Sequence, residues 1–262
     1  MNPPISPVRA FAIFLHIEAA MIELTSGDGR SFSAYRAEPS ETPKGAVVVL
    51  SDVYGVSPHL QKEVDAFALQ AYVAIAPALA AVPQNNEAEG GGDAVAKALQ
   101  EIQASVDAVK GAGKVAIVGY DWGGYLAYLS ANSLQDVACA ISYYPAGISE
   151  ERWVKRKIPT LLHLPENDPS LPLEEIQQFR AQRPDVSAFS YPNTRNGFNF
   201  DAAESFDETA AQSARERTLF WISQYVEGQK PIALKNSGSY AQAKVDKKKK
   251  KAGGDDMGPP DA

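Results

Sequence analysis

The chain has 262 residues, 45% of them hydrophobic and 22% charged, with a formal net charge of −7. That balance is ordinary for a soluble globular protein, and the length allows one α/β domain with a sizeable core or two small ones. The charge is unevenly placed: from Gln229 onward eight Lys and four Asp put the tail at +4 and leave the body at −11, and so acidic a body offers no face for nucleic acid.

Reading from the N-terminus, Arg9 and the apolar Ala10-Phe11-Ala12-Ile13-Phe14-Leu15 faintly suggest an export signal, interrupted by His16 and Glu18. The preferred expectation places the true start at Met21, with residues 1–20 as an N-terminal extension and a first strand at Ile22–Leu24. Gly27-Asp28-Gly29 signals a hairpin turn into a second strand, Phe32–Ala37. Ala46–Leu50 is a wholly apolar run, the pattern of a strand buried on both faces. Ser57 and Pro58 then make a start signal for a helix to about Gln70, with Pro58 at the position whose N–H has no helical partner. Tyr72–Ala76 is another strand, and Gly90-Gly91-Gly92 leads to a helix over Ala94–Val109 capped by Asp93.

Val115–Val118 enters Gly119-Tyr120-Asp121-Trp122-Gly123-Gly124, a G-x-D-x-G-G turn followed at once by a helical pattern. The apolar run Val137–Ile141 carries the one cysteine, Cys139, which excludes an internal disulfide, reads as a core residue and suits a reducing, cytoplasmic setting. Beyond Tyr143-Tyr144-Pro145 come a strand at Thr160–Leu164, a helix at Leu173–Ala181 and a strand at Ser187–Tyr191. The last helix is expected from a capping box at Ser205-Phe206-Asp207-Glu208 to about Val226. Strands alternating with helices predict a mostly parallel, doubly wound sheet of about seven or eight strands with helices on both faces. The domain is set at 21–227. From 228 to 262 the pattern dissolves into a disordered tail with five consecutive lysines, Lys247–Lys251. No stretch nears the ~18 apolar residues of a membrane span, so no membrane contact is expected. The expected state is a monomer or homodimer.

Five segments in chain order resemble the dienelactone hydrolase family of α/β-hydrolases over about Met21–Val226. They are Val47–His59, Tyr72–Pro77, the elbow around Asp121, the Tyr143-Tyr144 pair with Leu161–Asp168, and Tyr191–Phe198. The resemblance implies an α/β-hydrolase fold and hydrolysis of an ester or lactone by a nucleophile–acid–histidine triad, without a cofactor or metal. The triad positions fall on Asp121, Asp168 and Asn196. The implied oxyanion donors are the N–H groups of Val53 and Trp122, and Asp52, Tyr54, Tyr144 and Phe198 are the implied pocket residues.

Two of the three triad positions depart from the family. Asp121 replaces a serine or cysteine, and Asn196 replaces the histidine; an amide nitrogen has no lone pair to take a proton near neutral pH. Triad members act as a unit, so such a loss should weaken, alter or abolish the usual hydrolysis. The chain has three histidines: His16 precedes the domain, His59 follows the oxyanion loop, and His163 lies near Asp168 and is the candidate for a displaced role. Family members acting on dienelactone hold its carboxylate with arginines, yet Pro77–Pro83 contains no basic residue and Phe200 occupies the second position; Arg195 is the nearest substitute. Asp121 then has three readings. It is a nucleophile toward epoxides or alkyl halides, or a structural residue tolerating near left-handed dihedrals and capping the helix. In the third, it joins Asp52, Asp168 and Asn196 in an oxygen-lined pocket for a hard cation or an amine. In every reading the expected partner is a small molecule.

Overall fold

The computed structural model describes residues 17–51, 55–79, 91–151 and 153–228. Asp52, Val53 and Tyr54, expected at the oxyanion loop and pocket, lie outside the described residues, as do Gly90 and the lysine-rich tail. Eight strands form one sheet: β1 (Ile17–Thr25), β2 (Ser31–Pro39), β3 (Ala46–Leu50), β4 (Val73–Pro77), β5 (Val115–Tyr120), β6 (Val137–Tyr143), β7 (Thr160–Pro165) and β8 (Ser187–Tyr191). Among the described residues five α-helices cover it: α1 (Pro58–Ala68), α2 (Gly91–Val109), α3 (Trp122–Ser133), α4 (Leu173–Gln182) and α5 (Glu208–Ile222). The strand order is β1-β2-β4-β3-β5-β6-β7-β8. β2 runs antiparallel to both neighbours, and β4 to β8 with β3 are parallel.

The apolar strands are buried on both faces because consecutive side chains point opposite ways. Val47 and Val49 pack with Leu60, Val64 and Phe67 of α1 and Ala214 and Ile222 of α5. Val48 and Leu50 pack the other way, with Ile102 and Val106 of α2 and Leu126 of α3. The same alternation sorts β7. Leu162 and Leu164 meet Ile176 and Phe179 of α4, while Leu161 joins the α1 and α5 face. His163 shares the side of Leu161, and its ring lies 4.3 Å from that of Tyr143. It is fully buried, with Nδ1 2.7 Å from the Tyr191 hydroxyl and Nε2 3.0 Å from Thr218 Oγ1 on α5. Cys139 is likewise buried in this core, which pushes its thiol up to about 12 and leaves it inert as a thiolate.

Three boundaries differ from those expected. β1 starts at Ile17, and Ile17–Ala20 pair with Pro39–Arg36 of β2, so the sheet includes the end of the stretch placed outside the domain. α2 begins at Gly91, which puts Asp93 in its first turn instead of at its cap. α5 begins at Glu208 with Asp207 as its cap, accepting from the Ala210 N–H, while the Ser205 hydroxyl donates to the Asn196 carbonyl. The α1 start is as read from sequence: Ser57 Oγ accepts from the Leu60 N–H and Pro58 is in the first turn.

Asp207→Ala is expected to lower the unfolding free energy in urea by about 1 kcal/mol, and the cap assignment fails if the loss is absent. His163 supplies a pH test. Burial holds its pKa down at about 3, against an ordinary 6.5, so the unfolded chain binds the extra proton first. Stability from this group is therefore complete above pH 6.5 and lost as pH falls toward 3. Between pH 7 and pH 5 the loss is about 2 kcal/mol. His163→Gln, which can still bond Tyr191 and Thr218, should remove that part of the slope in urea titrations at the two pH values.

Candidate functional site

The site is built where β5 turns into α3. A Cβ on Gly119 would lie 2.0 Å from the Gly123 carbonyl oxygen. One on Gly123 would lie 2.4 Å from the Ser51 carbonyl oxygen, and one on Gly124 2.5 Å from that of Tyr143. Glycine is thus required at all three positions for the helix start to seat against β3 and β6. At the apex, Asp121 has φ 53° and ψ −115°; its N–H donates to the Tyr143 carbonyl at 3.1 Å, and its carbonyl accepts from Tyr125 N–H at 2.9 Å.

Those dihedrals correct the structural reading of Asp121 twice. The φ is positive, but ψ is far from the ~+47° of the left-handed well that aspartate tolerates, so the conformation stores strain of ~1–3 kcal/mol. The carboxylate also makes no capping bond to α3. What the turn does accomplish is to put Asp121 on the wall of a cavity of about 640 Å³.

Around that cavity stand Ser51 from the end of β3, His59 and Leu60 from α1, Tyr120 and Asp121 from the elbow, Tyr144 after β6, and Asn196 and Phe200 from the loop after β8. Asp121, Tyr144 and Asn196 are therefore brought together. The structure does not bring Phe198 with them: it is fully buried in the core against Tyr144 and Tyr191, and Phe200 takes the place on the wall. Trp122 opens α3, its indole stacked on Tyr125 at 5.3 Å. Asp168 is buried and is not among the described residues that line the cavity; its Oδ1 accepts from both the N–H and the hydroxyl of Ser170, at 2.9 and 2.8 Å. Asn196 sits part-buried, and its side chain makes no hydrogen bond among the described residues.

Neither described histidine is hydrogen-bonded to Asp121, Asp168 or Asn196. The displaced role considered for His163 is ruled out by its position, with both ring nitrogens taken in the core. His59, expected to be structural, does line the cavity; its ring packs on Phe200 at 4.1 Å, its Nδ1 is buried without a hydrogen-bond partner, and it makes no hydrogen bond to Asp121. Arg195 is exposed and is not on the wall, so no arginine lines this cavity among the described residues. Lys62, on the rim, is hydrogen-bonded to Asp201. Among the described residues no group of three or more His, Cys, Asp or Glu side chains could hold a metal ion, and no helix is long and apolar enough to cross a membrane. Sequence reading missed His59 and the Lys62–Asp201 pair as wall residues, while Phe200 stands on the wall as its substrate-side position implied. The helix-start signal at Ser57-Pro58 was the available clue, since it aims the first turn of α1 at the strand ends.

Comparison with known proteins agrees with this geometry. The sequence pattern of the dienelactone hydrolase family matches residues 32–226. A carboxymethylenebutenolidase 1 of Cupriavidus pinatubonensis is 26% identical over 225 residues, which cover 76% of this chain and 94% of that protein. A Yersinia pestis protein that bears the carboxymethylenebutenolidase name provisionally is 29% identical over 228 residues, 75% of this chain and 85% of its own. Among solved structures, a dienelactone hydrolase-like promiscuous phosphotriesterase from metagenomic libraries superposes with a TM-score of 0.66 at 16% identity, covering 80% of this chain and 99% of that one. With its α/β-hydrolase sheet, its elbow and this match over most of its length, the chain belongs to the dienelactone hydrolase family.

Proposed function

We propose that this family member retains the hydrolase pocket as a binding site for a small molecule, while hydrolysis through a nucleophile–acid–histidine relay is weak or lost. One observation carries the proposal: the wall that holds Asp121 has an asparagine, Asn196, where the relay needs a proton acceptor. An amide can orient a group but cannot remove its proton. At the acid position Asp168 bonds Ser170 through Oδ1, and neither described histidine bonds to it. A serine or cysteine nucleophile is activated by its base, and Asp121 offers neither a hydroxyl nor a thiol. What persists is a cavity of the size that small ligands occupy, with aromatic and aliphatic walls and a few polar groups.

Full-length protein should show negligible turnover of activated aryl esters. Asp121→Cys combined with Asn196→His should raise turnover by at least about tenfold, the low end of what a positioned base contributes. Wild-type turnover that depends on Asp121 would sink the proposal.

A second reading draws on the elbow strain, which holds a carboxylate on the cavity wall when it could have capped α3. There Asp121 attacks an epoxide carbon: a carboxylate oxygen forms the new C–O bond, the ring C–O bond breaks, and the alkoxide takes a proton from water. With no base to activate a second water, the ester persists. Intact-mass measurement after exposure to small epoxides should then show one added epoxide mass, mapped to Asp121. No adduct across a broad panel removes this reading.

A further inference from the structure

A second cavity, of about 630 Å³, opens at the other end of the sheet, where β5, β6 and β7 begin. Lys114 on its wall immediately precedes β5, so that strand, ~20 Å of extended chain, separates it from Asp121. The wall is built from irregular backbone. Asp136 has φ 60° and Gly113 φ 131°. Val115 pairs with Val137 but Ala116 pairs with Cys139, which leaves Ala138 bulged from β6 with no partner on β5. Tyr225 comes from a π-helical turn, Ser223–Glu227, after α5. That turn is held close, since a Cβ on Gly45 would lie 2.3 Å from Val226 Cγ1. Bulges and π turns recur where a chain re-aims side chains toward a ligand.

The polar groups on this wall are two lysines, one aspartate and one tyrosine. Lys110 Nζ donates to Asp136 Oδ2 at 3.0 Å and to Asp107 Oδ1, outside the lining, at 2.8 Å. Asp136 is thereby tied to one lysine. The Lys114 ammonium and the Tyr225 hydroxyl make no hydrogen bond among the described residues. Both are donors, one of them charged, beside the apolar surface of Val137, Ala138 and Pro159. A cationic donor in a concave, partly apolar wall is the chemistry that recognises an anion with an apolar body.

We propose that this cavity is a second ligand site, separate from the elbow cavity, and that it takes a small aromatic carboxylate. The carboxylate accepts from the Lys114 ammonium and the Tyr225 hydroxyl, and the ring lies along Val137, Ala138 and Pro159.

The test is isothermal titration of the full chain with benzoate, benzyl alcohol and benzylamine, three probes of similar shape and different charge. Benzoate should bind at least about tenfold more tightly than the other two, since each of them loses the charge-assisted contact. Lys114→Gln should erase that preference, and Lys114→Glu should reverse it in favour of benzylamine. Both variants should fold, because the Lys114 side chain is exposed and β3 uses only its main-chain carbonyl, which accepts from Ala46 N–H at 2.9 Å. Benzyl alcohol or benzylamine binding the unmodified protein as tightly as benzoate overturns the inference, as does no benzoate binding up to millimolar concentration. A benzoate preference undiminished in either variant places the binding elsewhere and overturns it too. Ester turnover is read at the elbow cavity, so its loss or retention leaves this ranking unchanged.

Discussion

Three backbone segments meet at the turn from β5 into α3 with no room for a side chain between them. Gly119 lies over the Gly123 carbonyl, Gly123 under the carbonyls of Leu50 and Ser51, and Gly124 against that of Tyr143. These contacts fix the start of α3 on the C-terminal edge of the sheet, and they leave residue 121 one conformation, at φ 53° and ψ −115°. The strain of that conformation belongs to the backbone. It is imposed by the glycine contacts and by fully buried strands on either side, Val47–Leu50 and Ala116–Val118. The identity of the apex side chain contributes little to it. An aspartate can therefore stand at the apex with the elbow undisturbed, and the same constraint places that aspartate on the cavity wall.

The histidines show how the fold and the chemistry separate. His163 is the better bonded of the two in the described domain, yet its bonds serve the core: Tyr191 on one ring nitrogen, Thr218 on the other, and Tyr143 against its face. Desolvation then keeps it neutral, as a buried hydrogen-bond hub must be. His59 has the right neighbourhood and the wrong connections, packed on Phe200 with no bond to Asp121. Proximity to a cavity does not make a relay. A relay needs a ring nitrogen held between an acceptor and a donor at the cavity, and neither described histidine is so held.

Much of this was legible in the sequence where a signal is local. The all-apolar Ala46–Leu50 and Val115–Val118 gave central parallel strands, and Ser57-Pro58 gave the start of α1, because each pattern encodes its own sterics or hydrogen bonds. The elbow was legible for the same reason, since its glycines record close backbone approaches. The failures share one cause, which is dependence on a distant partner. Ile17–Ala20 is mostly exposed and carries no alternation; only pairing with β2 makes it a strand. Ser205 and Asp207 are both good caps, and the choice is made by the Asn196 carbonyl, which claims Ser205. Phe198 and Phe200 are two residues apart in an irregular loop. Bonds from Phe198 N–H to Arg195 and from Phe200 N–H to Gly197 set which one turns inward, and no periodicity reports them. His163, by contrast, was readable: in Leu161-Leu162-His163-Leu164 the lone polar residue of a buried strand must find partners in the core.

The loops that would align a triad are held by main-chain bonds. Glu166 N–H donates to the Tyr191 carbonyl at 3.1 Å, and Asn167 N–H to that of Thr194 at 2.9 Å, tying the acid loop to the loop of Asn196. Asp207 N–H donates to the Phe198 carbonyl at 2.9 Å, anchoring the far end of that loop to the start of α5. None of these bonds involves the side chains of Asp121, Asp168 or Asn196. Substitution of the side chain at Asp121 or Asn196 therefore leaves these main-chain bonds in place. Asp168 is itself drawn into that frame, its Oδ1 accepting from the N–H and the hydroxyl of Ser170. A scaffold whose geometry is independent of its catalytic side chains can exchange transition-state stabilisation for ground-state binding, because both need the same rigid walls and only the first needs a mobile proton.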